Sequence, residues 1–377
     1  MQHSSTYGLR ILGSALVALL VSWTTPVFAH GGGGEDDQGD HSGQGGRGDD
    51  DDQGNGHHDD GDHHPGKPPR GSACQKVAKD AFRACLSDAG SSFWLAVAQC
   101  DNATPAPMPK SMKAKGLAKK SHSMGMGGAC QKSAGSDLRD AASECSDQQS
   151  ARNDVCDLLG GGPYNPVIDP ANFTTTIDNP FNPLVPGTTF VYEGTTAEGL
   201  DHDEIVVTSN TRVIMGVTCV AVQDTEKLDG VVTEDTTDWF AQDLAGNVFY
   251  FGEDSRQFTD GFLSGTEGSW LAGVDGALPG IVMEAHPAVG DAYRQEFAIG
   301  TAEDVAQVVA TDAAVSVPFV SAPSSLETLE SSALEPDASE HKFYVQDVGL
   351  VLTVDDQTGD RSELISVTKV TPLARRR

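Results

Sequence analysis

The stretch TEDTTDWFAQDLAGNVFYFGE, residues 233–253, decides the fold of the larger part of this chain. Two runs rich in Thr and aromatic residues flank Gly246-Asn247, which is the pattern of a β-hairpin. Similar short runs of Val, Ile, Thr and aromatic residues recur from residue 188 onward, separated by turn signals such as Asp229-Gly230 and Asp260-Gly261. Residues 160–377 are therefore predicted to form one antiparallel sheet of about ten to twelve strands, strongly curved or partly closed.

Six of the seven cysteines lie upstream, within residues 73–159. They are spaced by 11 and then 15 residues in the first half, and by 15 and then 11 in the second. At about 100° per residue, both steps return to nearly the same side of a helix, so each triplet lies along one helical face. Two antiparallel helices would then align the triplets as a ladder that joins Cys74 to Cys156, Cys85 to Cys145 and Cys100 to Cys130.

Two alternatives to this ladder remain open at the level of sequence. The motif ACQK occurs at residues 73–76 and 129–132, which is compatible with a duplication that has disulfides inside each half. In that case Gly90-Ser91-Ser92 would break the first helix into a hairpin of its own. A zinc site is less favoured, because the CxxC spacing typical of such sites does not occur.

The N-terminal region has the composition of an exported chain. Residues 1–29 carry a polar start with Arg10, a short apolar run and the small-residue sequence Val27-Phe28-Ala29, which together predict a signal peptide. Residues 30–72 are rich in Gly, Asp and His and have no bulky apolar residue, so they are predicted to be a disordered tail. We expect a secreted or periplasmic protein with no membrane span and no lipid anchor.

The net charge of the chain indicates which classes of binding partner are favoured. The formal net charge is −30 at pH 7, which disfavours nucleic acid and anionic membranes and favours cations or basic partners. Acidic surfaces also keep exported proteins in solution, so the charge alone does not identify a function.

Two stretches are candidate metal sites. The tail concentrates imidazole and carboxylate groups that suit Zn²⁺, Ni²⁺ or Cu²⁺, at His41, His57, His58, Asp59, Asp60, Asp62, His63 and His64. The segment 104–128 places His122, Met124 and Met126 at alternate positions of a predicted loop, and thioether and imidazole ligands suit Cu(I). The alternatives are a solvated tail and a basic loop in which the methionines have no role.

The β region has few signs of catalytic chemistry. It lacks GxSxG, HExxH and Walker-type motifs. Its acidic stretches could bind Ca²⁺, but solvated acidic turns are the simpler interpretation; they comprise Asp201, Asp203 and Glu204, and Glu253, Asp254 and Asp260. Cys219, the seventh cysteine, is predicted to be a small buried residue, and the aromatic residues of 239–251 are predicted to fill the core.

Several stretches of the β region, taken in order, carry a resemblance to known proteins. They are NPFNPLVPGTTFVYEG (179–194), MGVTCVAVQD (215–224), DWFAQDLAGNVFYFGE (238–253), PGIVMEAHPAVGDAYRQEF (279–297), DAAVSVPF (312–319) and EHKFYVQDVGLVL (340–352). This set resembles a module of bacterial exported proteins and lipoproteins that is similar in plan to the half-barrel lipoprotein carriers. The resemblance implies a curved antiparallel half-barrel whose apolar concave face could hold a lipid. It provides no catalytic residues, and the lipidated cysteine of the lipoprotein members is missing here.

Three functions are compatible with these patterns. The favoured hypothesis is an exported, non-enzymatic binding protein that holds an apolar ligand or a protein partner in the half-barrel. The second is a protein that sequesters a divalent metal through its Asp/His tail. The third is a hydrolase that uses paired carboxylates, although nothing in the sequence fixes two of them at a working separation.

Overall fold

The computed structural model describes residues 71–103 and 123–369. Two long helices come first, α1 (Ala73–Ala103) and α2 (Ser123–Leu159), and a short 3-10 helix follows at Pro170–Asn172. The predicted signal peptide, residues 30–70 of the tail and His122 lie outside the described residues. Because α2 begins at Ser123, Met124 and Met126 lie in its first turn and not in a loop, which corrects that part of the prediction.

Three disulfides join the two helices as a ladder. The bonded pairs are Cys74–Cys156, Cys85–Cys145 and Cys100–Cys130, each with a Cα–Cα distance of 5.7 Å. These are the pairs that the mirrored spacing predicts, and helix α1 continues through Gly90 without a break. The alternative with disulfides inside each half is therefore wrong. Three disulfides fit an extracellular or envelope location.

The remainder of the described chain is almost entirely β-structure. Its strands are β1 (Phe173–Thr174), β2 (Thr188–Thr195), β3 (Leu200–Ile214), β4 (Val217–Leu228), β5 (Val231–Asp243), β6 (Val248–Asp254), β7 (Gln257–Thr259), β8 (Phe262–Gly265), β9 (Trp270–Leu271), β10 (Leu278–Met283), β11 (Ala292–Arg294), β12 (Glu296–Phe297), β13 (Asp304–Ser316), β14 (Ser321–Ser332), β15 (Glu335–Val345), β16 (Gly349–Asp355) and β17 (Arg361–Lys369).

Antiparallel pairing carries these strands around a nearly closed barrel. Strands β2 to β6 pair in sequence order, strands β13 to β17 do the same, and β17 pairs with β2. On the other side β6 pairs with β10, which connects to β13 through the short strands β11 and β12. The predicted mainly β fold with a curved antiparallel sheet is confirmed, and the sheet closes further than a half-barrel.

The turns show where local sequence determines the hairpins. Asp229-Gly230 and Asp260-Gly261 form two-residue turns with positive φ at both residues, as their sequence predicts. A third turn was not predicted: Met215 and Gly216, with φ values of 49° and 83°, divide one apparent apolar run into β3 and β4. Strands β13 and β14 were also missed. The Ser- and Glu-rich sequence of β14 lacks the usual strand residues.

Aromatic side chains fill the centre of the barrel, as predicted. Phe240 stacks on Tyr250 with ring centroids 4.7 Å apart, and Trp270 meets Tyr250 edge-on at 5.4 Å. Residues 175–187 pack onto the barrel, and Ile177 and Leu184 of this segment are buried in its core. In that segment the Asn179 side-chain amide donates hydrogen bonds to the carbonyls of Gly246 and Glu284. Neither described helix has an apolar stretch long enough to cross a membrane.

The helical hairpin packs against the outside of the barrel through α2. The Arg152 guanidinium forms two hydrogen bonds with the Glu303 carboxylate, at 2.7 and 2.8 Å, and both side chains are buried. Farther along the helix, the Gln148 side chain donates to the carbonyl of Leu334, at the turn between β14 and β15. These contacts fix the hairpin beside the short strands that complete the barrel.

Candidate functional site

The interior of the barrel is unexpectedly acidic. Eight carboxyl side chains point inward from the wall and are buried: Asp203, Asp224, Glu226, Glu234, Asp238, Glu253, Glu296 and Glu330. The register places Asp203 opposite Glu226 and Glu226 opposite Glu234, so three acids form a lateral row across β3, β4 and β5. Like charges directly opposite each other destabilise a sheet, and burial, together with nearby Asp203, raises the pKa of Glu234 in this row.

Asp238 lies at the centre of this acidic interior. Its Oδ1 accepts a hydrogen bond of 2.5 Å from the Tyr250 hydroxyl, and the same hydroxyl oxygen lies 3.2 Å from Glu253 Oε2. Burial raises the pKa of Asp238 to about 8, Tyr250 lowers it in part, and Glu234 and Asp203 raise it further. Burial, together with the nearby Glu296 and Asp238, also holds the pKa of Glu253 well above its usual range. These carboxyls therefore retain protons near neutral pH.

Across the interior, a buried lysine neutralises part of the acidity. Lys342 Nζ lies 2.9 Å from Glu330 Oε2 and 2.8 Å from Glu340 Oε1. Burial alone would lower the pKa of the Lys342 ammonium, but Glu330 and Glu340 raise it above its usual value. Gln295 and Tyr344 also donate to Glu330. Both oxygens of Glu330 accept hydrogen bonds, which is typical of a structural network.

One cavity inside the barrel is small. A cavity of about 30 Å³ lies between Phe190, Tyr192, Lys342 and Tyr344, which is room for about two water molecules. The inner face of the barrel is not uniformly apolar, because buried carboxyls share it with aromatic and aliphatic side chains. That this face holds a lipid stays a prediction. The facing carboxyls of this interior lie beside buried aromatic side chains, and a hydrolase that uses paired carboxylates stays a prediction.

A larger cavity lies outside the barrel, in a groove between the helical hairpin and strands β10 to β12. Its volume is about 420 Å³, which is within the range of about 300–1,000 Å³ typical of small-molecule sites. One wall is the end of the hairpin, fixed by the Cys74–Cys156 disulfide. Apolar side chains dominate the lining and include Val77, Val155, Leu159, Ile281, Phe297 and Ile299.

Two arginines line this groove and differ in their partners. Arg152 is paired with Glu303, as described above. The Arg294 guanidinium lies 5.0 Å from the Phe297 ring centroid and 5.7 Å from that of Tyr164. Burial lowers the pKa of Arg294, although Glu303 and Tyr164 oppose that change. In the part of the chain that the structure describes, Arg294 forms no salt bridge within 4.0 Å.

The structure confirms some of the predictions made for individual residues and contradicts others. Cys219 is fully buried as predicted, and burial raises the pKa of its thiol to about 12. The interpretation of Asp203 and Glu253 as solvated turn acids is wrong, because both lie in strands and point into the barrel. The tail ligands and His122 stay predictions. Within residues 71–103 and 123–369, no group of three His, Cys, Asp or Glu side chains is arranged to hold a metal ion.

The groove could not be predicted from local sequence. Its walls come from residues 73–78, 152–164, 281–303 and 333, which lie far apart in the chain. The single usable signal was the cysteine ladder, which places residue 74 beside residue 156 and so defines one end of the hairpin. Nothing in the sequence indicates that this end lies against β10 to β12.

Fold and groove together define a disulfide-containing β-barrel protein with a ligand-sized external cavity. No protein-family model and no curated protein sequence matches the chain. Among solved structures the chain is similar to one described as "a putative lipoprotein from Parabacteroides distasonis ATCC 8503", with 12% sequence identity and a TM-score of 0.29. The match covers 50% of this chain and 98% of that one. A similarity with so low a TM-score gives no basis for assigning a function.

Proposed function

We propose that this protein is an exported binding protein that holds a small apolar ligand in the groove between the helical hairpin and the barrel. The observation that carries the proposal is the groove itself, with its volume of about 420 Å³ and its largely apolar lining. Sites with these properties are the default binding sites of proteins, because they remove apolar ligand surface from water.

The construction of the groove supports a site that exists before the ligand arrives. The Cys74–Cys156 disulfide joins the two helices at the groove end of the hairpin, and the buried Arg152–Glu303 pair fixes α2 to the barrel. A preformed site spends less free energy on ordering during binding, which favours affinity. The disulfide and the ion pair both hold in place the wall of the groove that the helical hairpin forms.

The proposal is tested by filling the groove. Val77 lines it from the first turns of α1 and is half exposed, so Val77→Trp places an indole in the cavity at a position that tolerates a larger side chain. Leu86 has nearly the same exposure on the same helix and lies outside the groove, so Leu86→Trp is the matched control.

Binding is measured with the neutral apolar fluorophore Nile red and the oxidised full-length chain. We expect saturable fluorescence enhancement with the native protein and with Leu86→Trp, and its loss with Val77→Trp. Far-ultraviolet circular dichroism verifies that both variants keep their helices. Equal binding by Val77→Trp and the native protein would place the apolar site elsewhere and overturn the proposal.

A further inference from the structure

We infer that the groove selects amphipathic ligands with one anionic headgroup, and that Arg294 is the residue that binds this headgroup. The inference deepens the proposed function and rests on it, since it names the chemical class of ligand for the same groove. It is carried by the contrast between the two arginines that line the cavity.

The residues that line the groove carry one more positive charge than negative charges. Both oxygens of Glu303 are used: Oε2 accepts from Arg152 Nε at 2.8 Å, and Oε1 accepts from Arg152 Nη2 and from the Gly300 amide, each at 2.7 Å. Glu303 is the one carboxylate among the residues that line the groove. Its charge is matched by Arg152, so Arg294 supplies a net charge of about +1.

Aromatic rings contact the flat faces of the Arg294 guanidinium, but the N–H donors at its edge have few hydrogen-bond partners. Phe297 and Tyr164 provide aromatic surfaces for the planar guanidinium, which accounts for its position. A guanidinium also carries five N–H donors in its plane. Among the described residues, the single hydrogen-bond contact of these donors is Nη2 to Cys74 Sγ at 3.8 Å, and sulfur is a weak acceptor. Strong acceptors are therefore missing at a partly desolvated cation.

A ligand with a carboxylate or a similar oxyanion would supply those acceptors. The planar fork of arginine matches a carboxylate through two parallel hydrogen bonds, and such charge-assisted bonds are stronger than neutral ones. The apolar wall formed by Val155, Leu159, Ile281 and Ile299 would accept an alkyl chain. A cationic amphiphile of the same chain length would meet the unpaired positive charge and is excluded.

The test separates the headgroup from the chain by using three ligands with the same alkyl group: decanoate, decanol and decyltrimethylammonium. Each is titrated calorimetrically into the oxidised full-length protein, into Arg294→Gln and into Arg212→Gln. Arg212 is the matched control, because its guanidinium also stacks on an aromatic ring, 4.3 Å above Trp239, but lies outside the groove.

We expect decanoate to bind the native protein and Arg212→Gln more tightly than decanol does. Arg294→Gln should weaken decanoate by about 10- to 100-fold, the usual effect of losing hydrogen bonds to a charged group, and should leave decanol unchanged. Equal binding of decanoate and decanol to the native protein, tighter binding of decyltrimethylammonium, or an equal loss for both ligands in Arg294→Gln would overturn the role of Arg294 while the apolar site stands. Failure of all three ligands to bind would overturn the proposed function as well.

Discussion

The helical hairpin and the barrel reach stability by different routes. Inside the hairpin the buried positions are mostly small, among them Ala78, Ala134, Cys100, Cys145 and Cys156, and covalent bonds replace a deep core. The barrel has a large aromatic and aliphatic core with no disulfide, because Cys219, its single cysteine, is a free thiol. This core also encloses acids that must keep protons or partners. The two regions should therefore respond to different perturbations.

Reduction should produce the largest difference between the two regions. Each disulfide typically contributes about 2–4 kcal/mol, so loss of three exceeds what a small Ala-rich helix pair could offset. With dithiothreitol we expect residues 73–159 to lose amide protection in hydrogen exchange, while strands β2 to β6 keep theirs. A hairpin that stays protected after full reduction would show that packing, and not the ladder, stabilises it.

A change of pH should act mainly on the barrel. Burial raises the pKa of Asp201 to about 6, of Asp304 to about 7 and of Asp238 to about 8. The folded state thus binds more protons than the unfolded chain above about pH 4. This contribution is complete below the unfolded pKa and is lost as pH rises through the folded values. We expect the unfolding free energy to fall by roughly 3 kcal/mol or more between pH 5 and pH 8.

Urea titrations of the oxidised protein at several pH values measure how steeply the unfolding free energy falls with pH. Asp238→Asn keeps the shape of the side chain but cannot ionise, so its slope should be shallower. Asp254→Asn is the control, because Asp254 is exposed and loses only a surface ion pair with Arg256. The titratable groups that face Asp238 are Asp203, Glu234, Tyr250 and Glu253. An unfolding free energy that rises with pH would contradict the prediction that the interior acids are protonated.

The contact between the two regions should give an intermediate effect. Arg152→Met keeps a long side chain on α2 but leaves the buried Glu303 carboxylate without its cation, which typically costs about 3–5 kcal/mol. We expect earlier unfolding in urea and weaker Nile red binding, because the groove wall is no longer fixed. Arg139→Met, at an exposed site on the same helix, should match the native protein. Unchanged stability in Arg152→Met would mean that the pair contributes little net free energy.

The predictable features of this protein are those that arise from local periodicity. The ladder follows from cysteine spacing on a helix, and most long strands follow from alternating apolar residues between turn signals. Burial of Asp203 and Asp238 was not predictable, because carboxylates are usually solvated and only closure of the barrel encloses them. The groove depends on how the hairpin docks, and the Arg152–Glu303 pair that fixes it joins residues 151 positions apart.

The predicted metal-binding tail would have the smallest effect on either region, since the composition of residues 30–70 predicts a disordered segment. If His57, His58, His63 and His64 bind Zn²⁺, Ni²⁺ or Cu²⁺ from an unfolded segment, ordering costs limit the affinity to the micromolar range, and the unfolding free energy of the barrel stays constant. Calorimetric titration should show this binding with the full chain and not with a chain that begins at Gly71. Replacement of the four histidines by glutamine distinguishes imidazole from carboxylate ligands. Equal uptake by both chains would exclude the tail, and Cu(I) uptake that persists in the shorter chain would leave His122, Met124 and Met126, which both chains contain, as the candidate ligands.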